Sequence, residues 1–185
     1  MAGTMRCQLM ICTVIGLFPT FNIKYNDAVI FKFTNIVCES YNQSWVVFRY
    51  CRLKAVGRDR VHLNVNATIL YPAYNITNHG KIFKRASGYK PWILDTTVDA
   101  CRFVRKNYDP FAKIVFSLFK NFSNINHTCP FVGHQILKDF YLKPELLILP
   151  FPTGDYMLSM RWYFGKRLQF DTNVSFVFVE DLIKS

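Results

Sequence analysis

Alternation of apolar and polar residues is the feature that most limits what this chain can fold into. In VHLNVNATIL, Val61, Leu63, Val65, Ala67 and Ile69 fall on one face, and His62, Asn64, Asn66 and Thr68 on the other. Successive side chains of a strand point to opposite sides, so this segment is predicted to be a strand with one wet face. DYMLSMRWYF repeats the pattern, with Tyr156, Leu158, Met160, Trp162 and Phe164 set against Asp155, Ser159 and Arg161. Gly165 to Arg167 then punctuates a hairpin into NVSFVFVE, where Val174, Phe176 and Phe178 alternate with Asn173 and Ser175. AVIFKFTNIVC and SWVVFRYCRLKAV are further predicted strands, with ESYNQS turning between them. GKIFKRAS is a weaker one, followed by the turn-like GYKP. About seven short strands with frequent turns predict an immunoglobulin-like antiparallel β-sandwich.

One region breaks the period. In DPFAKIVFSLFKNF, Phe111, Ile114, Val115, Leu118, Phe119 and Phe122 recur at helical spacing. Asp109 is placed as N-cap and Pro110 at the first helical position. Just before it, Val98, Cys101 and Val104 share one side of a shorter helix. A helical pair is therefore expected as an insertion over about residues 96–122. Nothing else in the sequence divides it, so one domain is expected over 23–185.

The first twenty residues read as a leader. Arg6 gives a short basic region, and Leu9 to Phe18 form an apolar core too short to span a bilayer. Cleavage is expected between Gly16 and Asn22. Six Asn-x-Ser/Thr acceptors, at Asn42, Asn66, Asn75, Asn121, Asn126 and Asn173, point to the secretory route independently. Cys7 and Cys12 leave with the leader, so Cys38, Cys51, Cys101 and Cys129 remain as two disulfides of open connectivity. The formal net charge of +11 falls to +10 without Arg6. In a secreted chain that excess serves solvation or attraction to an anionic membrane surface, and a nucleic-acid partner is not expected.

The residues offer little chemistry. Gly-x-Ser-x-Gly, Cys-x-x-Cys and His-Glu-x-x-His are all absent from the sequence. His127, Cys129 and His134 sit close enough in sequence to imagine a metal cluster, or a thiolate–imidazole pair. Four cysteines in an oxidising compartment argue instead for disulfides. No enzyme activity, metal or cofactor is expected.

FTNIVCES, FRYCRLKAVGRDRV, GYKPWILDTTVDACRF, NINHTCPF and LPFPTGDYMLSMRW together resemble a large insect family of secreted proteins close to the chemosensory B proteins. A more distant likeness is to the ganglioside activators and the ML lipid-recognition fold. It is carried by Cys129, Pro130 and Phe131, and by Thr153, Gly154, Asp155 and Tyr156. Those relatives are sandwich cups that hold lipid tails. The likeness implies that Cys101 pairs with Cys129, which leaves Cys38 with Cys51. Ganglioside activators also carry a cysteine in the last strand, and NVSFVFVE has none.

Apolar residues make up 51% of the chain and aromatics 17%, including 18 phenylalanines. With the amphipathic insertion and the resemblance, this leads to one expectation: a secreted glycoprotein that binds a lipid or other long apolar ligand without transforming it, in chemosensory or general extracellular recognition. The expected lining is Phe111, Ile114, Val115, Leu118 and Phe119 on the helix, with Leu158, Trp162, Phe176 and Phe178 on the late strands. A monomer is expected, with a membrane surface or receptor as a further partner. The alternative is a filled sandwich that acts as a ligandless interaction protein or co-receptor factor.

Overall fold

The structure is a computed structural model that describes residues 28–58, 60–147 and 151–180. The leader expected over 1–20 lies outside the described residues. The strands are β1 (Ala28–Ser40), β2 (Val46–Ala55), β3 (Val61–Ala73), β4 (Ile76–Ala86), β5 (Gly88–Asp99), β6 (Phe131–Phe140), β7 (Gly154–Phe164) and β8 (Arg167–Glu180). Between β5 and β6 lie α1 (Ala100–Lys106), α2 (Pro110–Phe119) and a 3₁₀ turn at Lys120–Phe122. A second 3₁₀ turn, Pro144–Leu146, follows β6.

The strands form two antiparallel sheets, one of five in the order β1-β8-β7-β4-β5 and one of three in the order β2-β3-β6. This is the expected mainly-β sandwich. Its hairpin turns at Gly165, whose φ of 60° suits a residue without Cβ, and Phe164 pairs with Arg167 across it. Cys38–Cys51 ties β1 to β2, joining the two sheets along one side. Cys101–Cys129 ties α1 to the segment before β6. Both pairings are those the resemblance implied.

The helical pair begins later than expected, because Thr96–Asp99 complete β5. Val98 is buried from the strand and Cys101 from the helix, so a face that looks continuous in sequence comes from two elements. The Asp99 side chain accepts from the Arg102 N–H at 2.9 Å and starts α1. Asp109 caps α2 as expected, accepting from the Ala112 N–H at 2.7 Å, with Pro110 in the first turn. Phe122, expected at the end of that helix, falls in the 3₁₀ turn.

Two strands were not anticipated. GYKP, expected as a turn, opens β5, with Pro91 opposite Phe83. That strand bonds only to β4, and a sheet edge is where a residue without an N–H is tolerated. In β6 the alternation is masked by Gly133, by the buried Gln135, and by a register shift at Asp139, whose φ is 50°.

Aromatic side chains fill the space between the sheets. Phe31 meets Phe176 and Phe178 edge to face, at 5.6 and 5.8 Å between ring centroids. Tyr156, fully buried, stacks on Phe176 at 5.5 Å and meets Phe151 and Trp92 at 5.0 and 5.1 Å. Its hydroxyl donates to the Pro152 carbonyl at 2.5 Å, so the phenol oxygen carried into this cluster is satisfied. From Phe33 the chain of rings runs through Phe140 to Phe119, Phe116 and Phe103, which brings α2 and α1 onto the core.

Two outcomes are expected from this packing. Phe178→Ala, at a position 1% exposed, should cost about 3–5 kcal/mol in urea denaturation; a loss under 1 kcal/mol would mean that the cluster is loosely packed. Desolvation, followed by the charge of Glu180, pushes the Tyr156 phenol up to about 12. An unfolded tyrosine ionises near 10, so between those values the unfolded state loses its proton first and stability falls as pH rises. Tyr156→Phe should reduce that alkaline slope. Tyr41, also pushed up to about 12 by desolvation, Asp171 and Glu39, keeps a residue of it.

Candidate functional site

The strand registers bring the starts of β1, β3, β5 and β7 and the ends of β2, β4, β6 and β8 to one end of the sandwich. There a groove of about 420 Å³ opens between the sheets. Its apolar wall comes from Ile30, Phe31, Val61 and Leu142, and its rim from Lys32, Arg60, Tyr141, Lys143 and Glu145. Phe31 is itself part of the aromatic core, so the groove sits directly over that core.

Local backbone geometry sets the rim. At the irregularity in β6 the Asp139 N–H donates to Asn64 Oδ1 at 2.9 Å, and its carboxylate lies 3.5 Å from His62 Nδ1. A left-handed Asp held by a neighbouring side chain re-aims the strand. The Tyr141 ring consequently stacks on His62 at 5.6 Å and meets Phe122 at 5.4 Å. Arg60 lies over the Tyr141 ring at 4.8 Å, and Lys143 lies over the same ring at 5.3 Å and over Phe122 at 5.6 Å. The 3₁₀ turn at Pro144–Leu146 then folds the chain back beside α2.

The side chains expected to line a ligand site lie elsewhere. Phe176 and Phe178 are buried in the core; Phe111, Leu118, Phe119 and Leu158 pack against the same cluster. Trp162 stacks on Phe170 at 5.6 Å in the second cluster, at the other end of β7. Ile114 and Val115 are half-buried on α2. None of these nine lines the groove. The residues that do line it were missed because they come from three separate segments, and only the Lys-Arg clustering around Arg60 hinted at the place.

A second, more open depression of about 310 Å³ lies on the outer face of the five-stranded sheet, lined by Thr77, His79, Thr97, Tyr163 and Gly165. His79 Nε2 contacts Asp95 Oδ1 at 2.5 Å, and Lys81 reaches Asp95 Oδ2 at 2.8 Å. The Lys81 ammonium first, and His79 after it, hold the Asp95 carboxyl below the usual carboxylate range. This is half of a familiar catalytic arrangement. Among the described residues, however, no hydroxyl or thiol hydrogen-bonds to His79, so no nucleophile is oriented by it. Cys129 is disulfide-bonded, which removes it as a thiolate, and His127 rests against Phe131 at 4.4 Å. No cluster of three or more metal-ligating side chains occurs among the described residues.

The acceptor asparagines differ in accessibility. Asn75, Asn121 and Asn126 are exposed. Asn42 donates from Nδ2 to the fully buried Gln169 at 3.0 Å, and its Oδ1 accepts from the Ser44 hydroxyl at 2.7 Å. Asn66 Oδ1 contacts His134 Nδ1 at 3.3 Å, and Asn173 Oδ1 is buried on the central strand β8. No helix among the described residues is long and apolar enough to cross a membrane.

No curated protein matches the sequence. Among solved structures the chain is similar to that of a Niemann-Pick type C2 protein from Japanese carpenter ant, at 17% identity and a TM-score of 0.30, covering 83% of this chain and 93% of that one. Residues 78–158, from β4 through both helices to the middle of β7, match the family described as "protein of unknown function (DUF1091)".

Proposed function

We propose that this chain is an extracellular, glycosylated protein that binds a lipid or similar long apolar molecule without transforming it. The observation that carries the reading is the groove between the sheets, walled by Ile30, Phe31, Val61 and Leu142 and backed by the aromatic core. At about 420 Å³ it lies within the ~300–1,000 Å³ range of small-molecule sites. Burial of tail surface supplies the affinity at roughly 25 cal/mol per Å². A tail seated on Phe31 has Phe176 and Phe178 directly behind that ring, which links two of the residues expected as lining to the site. Recognition in a chemosensory or general extracellular setting follows from this reading, with a membrane or receptor as the source of the ligand.

Native mass spectrometry of the protein made in insect cells tests it. Added mass from a co-purified amphiphile, or uptake of fatty acids, phospholipids or hydrocarbons, is the expected outcome. The filled core favours a second reading, a ligandless interaction protein, because Tyr156, Phe151 and Phe178 already occupy the space a deep tail would need. A bare polypeptide-plus-glycan mass that takes up none of these ligands selects the second reading over the first.

Glycosylation carries its own outcome. Glycopeptide mapping of the secreted protein should find sugar at Asn75, Asn121 or Asn126, and Asn42 unmodified. Full occupancy of Asn42 would show that its bond to buried Gln169 does not shield it from the transferase.

A further inference from the structure

We infer that the groove selects amphiphiles with an anionic head, a property that rests on the apolar-ligand reading and makes it more specific. Among the described residues, Arg60 and Lys143 line the groove with one carboxylate, Glu145, and Lys32 lies beside them with its ammonium on the Arg58 carbonyl at 3.4 Å. The apolar wall and the charged rim occupy the same opening, which is the layout an amphiphile matches and a pure hydrocarbon does not. Elsewhere three described cations meet carboxylates, Lys81 with Asp95, Arg85 with Asp155 and Arg161 with Asp171, and what sets Arg60 and Lys143 apart is that they share one ring beside an apolar wall. Among the described residues no carboxylate comes within ion-pair distance of Arg60 or Lys143. Both instead lie over the Tyr141 ring, at 4.8 and 5.3 Å.

That placement matters chemically. A cation over an aromatic face is positioned by a weak attraction and keeps its N–H donors available for an anion. Two such groups held on one ring need little further ordering when a phosphate or carboxylate arrives, so less of the interaction is lost to entropy. The head group therefore sits at the Arg60–Lys143 rim, and a single tail runs inward over Val61 and Leu142 towards Phe31. Arg60 supplies a planar fork for paired oxygens, and Lys143 a point charge.

The test uses the delipidated, secreted protein in calorimetric titrations with four twelve-carbon probes kept below their micelle or solubility limits: laurate, dodecyl phosphate, dodecanol and dodecyltrimethylammonium. Laurate and dodecyl phosphate should bind roughly tenfold more tightly than dodecanol at low salt, and the preference should shrink at high salt. The double variant Arg60→Gln/Lys143→Gln should bring the ratio close to one while dodecanol binding stays within about threefold, since its tail contacts are untouched. Lys143→Arg alone should keep the preference, which separates loss of charge from loss of fold. Equal binding of laurate and dodecanol would overturn the inference and leave the apolar-ligand reading standing. So would a preference that survives in the double variant, or inorganic phosphate competing as well as dodecyl phosphate. If no tailed probe binds, both readings fall together.

Discussion

Phe31 belongs to two surfaces at once. Its ring meets Phe176 and Phe178 edge to face inside the sandwich, and it also walls the groove at the end. The groove's shape depends on that double role. Core packing of this density leaves little central space, since Tyr156, Phe151 and Phe178 are each no more than 2% exposed. In the proposed reading a ligand meets the protein where the core ends rather than at its middle, on the outer layer of the core itself. Rigidity of the cluster becomes a property of the site: anything that loosens Phe176 or Phe178 changes the wall that Phe31 presents.

The two sides of the sandwich are closed by different means. Along β1 and β2 the closure is covalent, through Cys38–Cys51. At the β5 side it is the helical pair, with α1 against β4 and β5 and α2 against β5. Phe119 reaches Phe140 at 6.5 Å and Phe122 reaches it at 5.4 Å, so the insertion spans from the five-stranded sheet to the three-stranded one. At the far end the Tyr41 N–H donates to the Gln169 carbonyl of β8 and the Gly165 N–H to the Asn75 carbonyl between β3 and β4, at 2.8 Å each. At the groove end the Lys32 ammonium of β1 donates to the Arg58 carbonyl in the β2–β3 turn at 3.4 Å.

Much of this architecture was legible from period and punctuation. The strands around Leu63, Leu158 and Phe176 follow their alternation, and Asp109 and Pro110 start α2 as their chemistry dictates. What stayed hidden has physical causes. The proline in β5 imitates a turn unless one knows that the strand is an edge. In β6 a buried Gln135 occupies a position where the pattern needs an apolar residue. The late-strand aromatics are inward-facing whether the interior is filled or hollow, so alternation alone does not separate core from cavity wall. The groove was the least legible part, because Phe31, Arg60 and Lys143 become neighbours only when β1, β3 and the end of β6 meet.

Charge shows the same limit of composition. A net charge of +11 says how many cations there are and nothing about what each one faces. On the outer face of the five-stranded sheet Lys81 is neutralised by Asp95, in a contact only half-shielded from water that contributes little to binding anything else. At the groove Arg60 and Lys143 have the same formal charge but rest on an aromatic ring beside an apolar wall. An arriving anion there would meet an apolar wall on one side and, on the other, two cations already held on one ring. The inferred selectivity thus rests on two cations brought to one ring beside an apolar wall, and that is decided by where the irregularity at Asp139 sends Tyr141 and Lys143.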